Sequence, residues 1–218
     1  MQRTLNTRKR SYAISIALIL FAVALALLAP EEQTLGRYIR LIYIHAAVTW
    51  VGLSMFGLSG VFAFLSFFAG LRPDKAKGQN LKDILTDLSS AGQSTAVLFW
   101  AASVALGSVA AYLTWGGNWW IEPRIKLAVF ILILALFIYQ LRQMTGKSSL
   151  LAGLNFGLPL SILLLLSVTG KLVHPHNAFA QSDSVRMKLF AALITLLFVS
   201  AAANCLYLFF SRQRLRRV

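Results

Sequence analysis

Six long apolar segments divide the sequence, and they constrain the fold more than any other feature. A bilayer is crossed by about 20 apolar residues in a helix, and these segments match or approach that length. Because lipid offers the backbone no hydrogen-bond partners, segments that span it must be helical. The chain is therefore predicted to be an all-α integral membrane protein, a bundle of six transmembrane helices. The predicted spans are residues 12–29, 41–69, 88–113, 125–141, 150–170 and 187–210.

The composition excludes an ordinary soluble domain. Hydrophobic residues make up 58% of the chain and charged residues only 13%, with a mean hydropathy of +0.70. A soluble domain carries about 25% charged residues, so most of this surface must face lipid. The net charge of +14 does not indicate nucleic-acid binding, because the basic residues stand in short runs between apolar segments. Cys205 is the single cysteine, which excludes an intramolecular disulfide and a C-x-x-C motif.

The distribution of Lys and Arg predicts the orientation in the membrane. One set of connections, which includes both termini, carries 14 of the 21 basic residues, and the richer side is normally cytoplasmic. Both termini are therefore predicted to be cytoplasmic. The N-terminal apolar segment is interpreted as a retained first span, since it is longer than a signal peptide requires. Residues 1–218 then form a single membrane domain, with a tryptophan-rich loop at 114–126 and a histidine loop at 170–184 on the outer face.

Two local patterns add detail to the spans. Glycines at positions 52, 57 and 60 of the second span predict close packing against a neighbouring helix. The amphipathic stretch "KDILTDLSSAGQS", residues 82–94, is predicted to lie at the membrane interface before the chain turns into the third span.

All three histidines fall on the predicted outer side, together with tryptophans and arginines. An ionisable side chain within a span, such as His45, is usually functional, although a hydrogen bond between helices is an alternative. An aromatic belt is an alternative explanation for the tryptophans, and lipid head-group contact is one for the arginines. The candidate binding residues are His45, His174, His176, Trp115, Trp119, Trp120, Arg37, Arg40 and Arg124.

These residue types suit the binding of haem. Two imidazoles from different helices can ligate one iron from opposite sides, aromatic side chains can cover a porphyrin, and cations can pair with its propionates. Zinc is less favoured, because no dense ligand spacing occurs. A proton relay through His45 would need an acidic partner inside the membrane, and the sequence shows none within the apolar segments.

The chain resembles the tryptophan-rich haem-handling membrane proteins of cytochrome c biogenesis, most closely the CcmC (haem exporter protein C) family. The stretch "RLIYIHAAVTW" is similar to the family segment that carries the first haem-ligand histidine, here His45. The stretch "GSVAAYLTWGGNWWIEPRI" is similar to its tryptophan-rich haem-binding segment, with Asn118 and Ile121 at two aromatic positions and Glu122 at the usual aspartate. The stretch "SVTGKLVHPHN" is similar to the segment of the second ligand, where His174 aligns best and a small shift selects His176.

The resemblance implies a haem-transfer protein rather than an enzyme. It implies b-type, non-covalent haem held between His45 and His174 on the extracytoplasmic side of the inner (cytoplasmic) membrane. The expected partners are membrane lipid, a CcmE-like periplasmic haem chaperone and ABC-transporter-type subunits. Since the chain has no G-x-x-x-x-G-K-[ST] phosphate loop, any ATP use belongs to a partner. The alternatives are a haem lyase of the broader tryptophan-rich class, and a haem-free membrane subunit or small transporter.

Overall fold

A computed structural model of the chain describes residues 2–33, 35–71, 75–145, 149–170, 179 and 182–215. Within these residues six helices are long and apolar enough to cross a membrane, and no β-strand forms beyond an isolated bridge between Glu32 and Gly36. The predicted all-α bundle of six membrane helices is therefore confirmed, while the orientation of its termini stays a prediction. The helices are α1 Gln2–Leu27, α2 Ile39–Ala69, α3 Lys75–Trp115, α4 Pro123–Thr145, α5 Ser149–Val168 and α6 Val185–Leu215.

A short 3-10 helix, Gly116–Ile121, joins α3 to α4 within the connection predicted at 114–126. Gly116 has a positive φ of 74°, a conformation that ends helices and that other residues rarely adopt. Pro123 then occupies the first position of α4, where its missing N–H is not needed. The tryptophan-rich segment is thus fixed at both ends by the backbone.

Helix α2 lies at the centre of the bundle and contacts α3, α5 and α6, while α1 packs mainly on α6. Glycines permit its closest approaches, as small residues do in membrane bundles. A Cβ atom on Gly52 would lie 3.3 Å from the backbone nitrogen of Trp100, and one on Gly60 would lie 2.6 Å from Cγ of Pro159. The packing predicted for these two glycines is confirmed. The prediction for Gly57 is wrong, because a Cβ there would meet nothing within 4 Å.

Helix α3 is a single unbroken helix of 41 residues, about 60 Å long at 1.5 Å per residue. The chain therefore does not turn between an interfacial segment and the third span, as the amphipathic pattern of residues 82–94 predicted. The prediction was wrong because the polar residues of this stretch face other helices rather than the membrane surface. Asp87 is completely buried, and Ser89, Ser90 and Gln93 are each no more than 2% exposed.

A buried hydrogen-bonded group, which we call the serine cluster, joins three helices at this level. It consists of Ser59 on α2, Ser89 on α3 and Asn155 on α5. Ser59 Oγ donates to the carbonyl oxygen of Ser89 at 2.7 Å, and Asn155 Nδ2 donates to Ser89 Oγ at 3.0 Å. A hole of about 10 Å³ beside the cluster is also lined by Arg142 of α4. This volume holds about one water molecule.

Candidate functional site

A cavity of about 440 Å³ lies between the first part of α2, the last part of α3 and the first part of α4. We call it the His45 cavity. Most of its wall is apolar or aromatic, and Trp100 lines its inner part. The indole Nε1 of Trp100 donates to the carbonyl oxygen of Ala128 at 3.0 Å, which fixes the ring between α3 and α4. The volume falls within the range of about 300–1,000 Å³ that small-molecule and cofactor sites occupy.

His45 lies six residues after the start of α2, and its imidazole packs directly on Gly107 of α3. A Cβ atom built on Gly107 would lie 2.6 Å from Cε1 of His45 and 3.2 Å from each ring nitrogen. Real Cβ atoms do not approach that closely, so any larger residue at 107 would displace the ring. Gly107 is therefore the seat of the imidazole, and His45 lines the cavity from that seat.

Two hydroxyl groups lie one helical turn further along the same wall. Thr49 Oγ1 donates to the carbonyl oxygen of His45 at 2.7 Å and lies 2.6 Å from Ser103 Oγ. The second contact joins α2 to α3 just below the imidazole. The backbone around His45 is thus held by a hydrogen-bonded pair, which limits movement of α2 against α3 at this level.

The start of α4 and the residue before it bring a cation and an acid into the cavity wall. Glu122 is completely buried, and its backbone carbonyl accepts from the N–H of Ile125 at 3.1 Å at the start of the helix. Arg124 NH2 donates to the carbonyl oxygen of Leu166 at 3.4 Å, near the carboxyl end of α5. A helix carboxyl end favours a cation. Both side chains line the same cavity as His45.

Arg124 keeps hydrogen-bonding capacity that the protein does not use. Its Nε is buried and has no hydrogen-bond partner among the described residues. A guanidinium offers five N–H donors in a planar fork, which suits a carboxylate. The sequence-predicted cation Arg124 is therefore placed where it can meet a carboxylate inside the cavity.

The three tryptophans of the predicted platform lie in different surroundings. Trp115 lines the cavity. Trp119 and Trp120 belong to the 3-10 helix and contact each other edge to face, with ring centroids 5.3 Å apart. Neither of them lines the cavity, and Trp120 is 48% exposed. Of the tryptophans singled out in the sequence, the structure brings only Trp115 together with His45.

The other two predicted arginines lie outside the cavity wall. Arg40 NH2 lies 3.2 Å from a carboxylate oxygen of Glu31. The guanidinium carbon of Arg37 lies 5.8 Å from the ring centroid of Tyr38. Both contacts involve partly exposed side chains, so they resemble surface pairs more than a ligand site.

His174 and His176, the two candidates for a second ligand, lie outside the described residues. Phe179, which follows them in the sequence, is described. Its ring lies 4.5 Å from that of Tyr43, two residues before His45, and it lines the cavity. The chain that carries these histidines therefore returns to the cavity wall at Phe179. The part of the chain that the structure describes holds no group of three or more His, Cys, Asp or Glu side chains arranged for a metal ion.

Sequence reasoning missed several residues of this cavity. Glu122 was assigned to an outer loop, although the proline that follows it is a typical first residue of a helix. Gly107 carries no chemistry of its own, so only the contact with His45 reveals its role. Trp50 and Trp100 fall within apolar spans where an aromatic residue is unremarkable in sequence. No signal in a single sequence shows which of them faces a cavity.

Comparisons with known proteins do not extend this description. No protein-family model matches the chain, and no curated protein matches it either. The function is therefore argued from the geometry of the His45 cavity and from the sequence patterns described above.

Proposed function

We propose that this chain is a haem-binding membrane protein, with the His45 cavity as its haem site. The observation that carries the proposal is the imidazole of His45, seated on Gly107 in the wall of a large, mostly apolar cavity inside a membrane bundle. Histidine is a common axial ligand of haem iron in proteins. The resemblance to the CcmC family at His45 points to the same chemistry.

The residues of the cavity fit haem in three respects. The volume and apolar walls suit a planar macrocycle, and the edge of Trp115 adds an aromatic surface. Arg124 lines the cavity, and a guanidinium cation suits a propionate carboxylate. His45 supplies a nitrogen ligand whose ring orientation is fixed by its seat. A second ligand from His174 or His176 stays a prediction, supported by the return of the chain to the cavity at Phe179.

In this proposal the chain binds and orients, and the iron chemistry belongs to the cofactor when it is bound. His45 would ligate iron through a neutral ring nitrogen. Arg124 fixes one edge of the ligand, while Gly107 and the Thr49–Ser103 contact hold the imidazole in place. We infer a transfer role rather than catalysis, with delivery to a CcmE-like haem chaperone and release assisted by ABC-transporter-type subunits. The site would lie on the extracytoplasmic side of the inner membrane.

The proposal is tested by the visible spectrum of the purified protein in detergent, with and without added haemin. A Soret band is expected for the wild type, and it should be lost in His45→Ala. His174→Ala and His176→Ala serve as matched histidine controls, since the true second ligand alone should alter the reduced low-spin bands. A wild-type protein that stays colourless after addition of haemin would disprove the proposal.

One observation favours a second candidate, a proton-coupled small transporter without haem. Glu122 is completely buried and lines the same cavity as His45, so an acid partner for a proton relay is present after all. In this case Glu122→Gln should abolish transport while the wild type binds no haemin. In the haem proposal Glu122→Gln keeps the Soret band, because His45 remains the ligand.

A further inference from the structure

Trp50 differs from every other described residue that lines the His45 cavity. It is 59% exposed, whereas the remaining described lining residues are buried or half-buried. It lies five residues after His45, one to two turns further along α2, and is rotated by about 140° around the helix axis from His45. One side of the Trp50 indole thus belongs to the cavity wall, while the rest of it is open to the surroundings of the bundle.

The position of Trp50 along α2 places these surroundings in the lipid. Helix α2 has 31 residues and a length of about 46 Å, which matches the 40–45 Å of a bilayer with its head groups. Trp50 lies 11 residues after Ile39, about 16 Å from the start of the helix. This depth is below the interfacial layer where tryptophan belts occur. If α2 crosses the whole bilayer, the exposed face of Trp50 meets hydrocarbon.

The lining of the cavity locates the opening. Its residues come mainly from α2, α3 and α4, and Leu166 of α5 and Phe179 also line it. In the part of the chain that the structure describes, Trp50 is the one lining residue that is exposed, so the cavity meets the surroundings of the bundle at Trp50.

We propose that the His45 cavity opens sideways into the lipid at Trp50, and that the Trp50 side chain controls the passage of a membrane-dissolved planar ligand to His45. The identity of that ligand as haem rests on the proposed function. The ligand class follows from the opening itself: an apolar, flat molecule that partitions into hydrocarbon and carries a polar edge for Arg124. The bilayer, rather than the aqueous phase, is then the immediate source of the ligand.

A gate changes rates and leaves equilibrium affinity unaltered, which separates it from a wall contact. The full chain is reconstituted in phosphatidylcholine vesicles, and haemin is supplied from a second population of vesicles that holds it in the bilayer. Loading is followed by the growth of the His45-dependent Soret band, and release by its decay when empty vesicles are added in excess. Trp50→Ala is expected to raise both the loading rate and the release rate, because a side chain that obstructs the path slows movement in both directions. Trp120→Ala, the same change at an exposed tryptophan outside the cavity, should leave both rates at the wild-type level.

Two results would overturn the inference while the proposed function stands. One is a Trp50→Ala variant that loads and releases haemin at wild-type rates. The other is a variant whose release rate alone rises, since that describes a lost contact with the bound ligand.

A wild-type protein that binds no haemin would remove the proposed function instead. In that case the lateral opening is tested separately, by the quenching of tryptophan fluorescence with phosphatidylcholine that is brominated in the middle of its acyl chains. Bromines at that depth should quench part of the tryptophan fluorescence of the wild type. This quenched part should be absent in Trp50→Phe and still present in Trp120→Phe. Equal quenching in the wild type and Trp50→Phe would overturn the lateral opening.

Discussion

The His45 cavity and the serine cluster are both polar regions inside the bundle, and they differ in how fully the protein fills them. At the serine cluster, hydrogen bonds of 2.7 and 3.0 Å join three helices around a hole of about 10 Å³. At the His45 cavity, about 440 Å³ stays unfilled by the described residues, and Arg124 retains a buried donor without a partner among them.

This difference shows that polar residues within one membrane bundle can have two separate roles. Where side chains satisfy one another across a tight interface, they hold helices together and leave space only for water. Where polar side chains face a wide apolar cavity, their hydrogen-bonding groups remain available for a ligand. The two regions should therefore respond in opposite ways to substitution: one in stability and the other in binding.

The largest expected effect is on binding at the seat of the imidazole. Gly107→Leu should displace the His45 ring and fill part of the cavity, because even a Cβ would lie 2.6 Å from Cε1. Because the ligating ring is displaced and the site partly filled, the affinity for haemin should fall by about 100-fold or more, equivalent to roughly 3 kcal/mol. A Soret titration measures it. Gly57→Leu is the matched control, since a Cβ there meets nothing within 4 Å. Equal haemin affinity of the two variants would contradict the role of Gly107 as the support of the His45 imidazole.

The second-largest expected effect is on the stability of the protein, at the serine cluster. Arg142 lines the small hole beside the serine cluster and interacts electrostatically with the buried Asp87. Arg142→Met should lower the free energy of unfolding by about 2–3 kcal/mol, because it leaves a buried carboxylate without that cation. Unfolding in mixed detergent micelles measures the change.

The control for this variant is Arg212→Met, at an exposed position near the end of α6. It should alter stability by less than about 0.5 kcal/mol. If instead Arg142→Met weakens haemin binding as strongly as Gly107→Leu, the two regions are not functionally separate.

A smaller stability effect is expected within the serine cluster. Ser89→Ala removes the acceptor of Asn155 Nδ2 and a partner of Ser59, and should cost about 1–2 kcal/mol. Ser161→Ala is a matched control, because Ser161 is exposed and bonds only within its own helix, to the carbonyl of Gly157. Thermal unfolding in detergent compares them. An equal shift in Tm for both variants would mean that the interhelical bonds contribute nothing beyond a local one.

The smallest effect distinguishes the tryptophans. Trp115→Ala should weaken haemin binding by about fivefold, equivalent to roughly 1 kcal/mol, since Trp115 lines the cavity. Trp120→Ala should change the affinity by less than about twofold. A Soret titration of both variants tests this. If Trp120→Ala is the more damaging, the ligand lies on the outer tryptophan segment rather than in the cavity.

The sequence predicted the spans well because the signal is strong. Apolar length alone determines a membrane helix, and the six predicted spans all fall within the observed helices or overlap them closely. His45, Trp115 and Arg124 were predicted as binding residues, and all three line one cavity. Their residue types are rare or costly inside a bilayer, which is why they stand out in a single sequence.

The residues that were missed depend on rotation about helix axes and on helix ends. Arg142 was assigned to a connection, since an arginine normally ends a span, yet it lies in the last turn of α4 beside the serine cluster. Asp87 was assigned to an interfacial segment, and it is completely buried because α3 continues without a turn. In both cases, packing between helices supplied a polar environment that the local pattern does not encode.

Helix α3 is unbroken and contributes residues to both the serine cluster and the His45 cavity. Asp87 and Gly107 stand 20 residues apart on this helix, about 30 Å along a rod that contains no proline. A rotation of its first turns would be passed along the helix to Gly107, which supports the imidazole ring of His45. The geometry of the His45 cavity therefore depends on how the distant end of α3 is held.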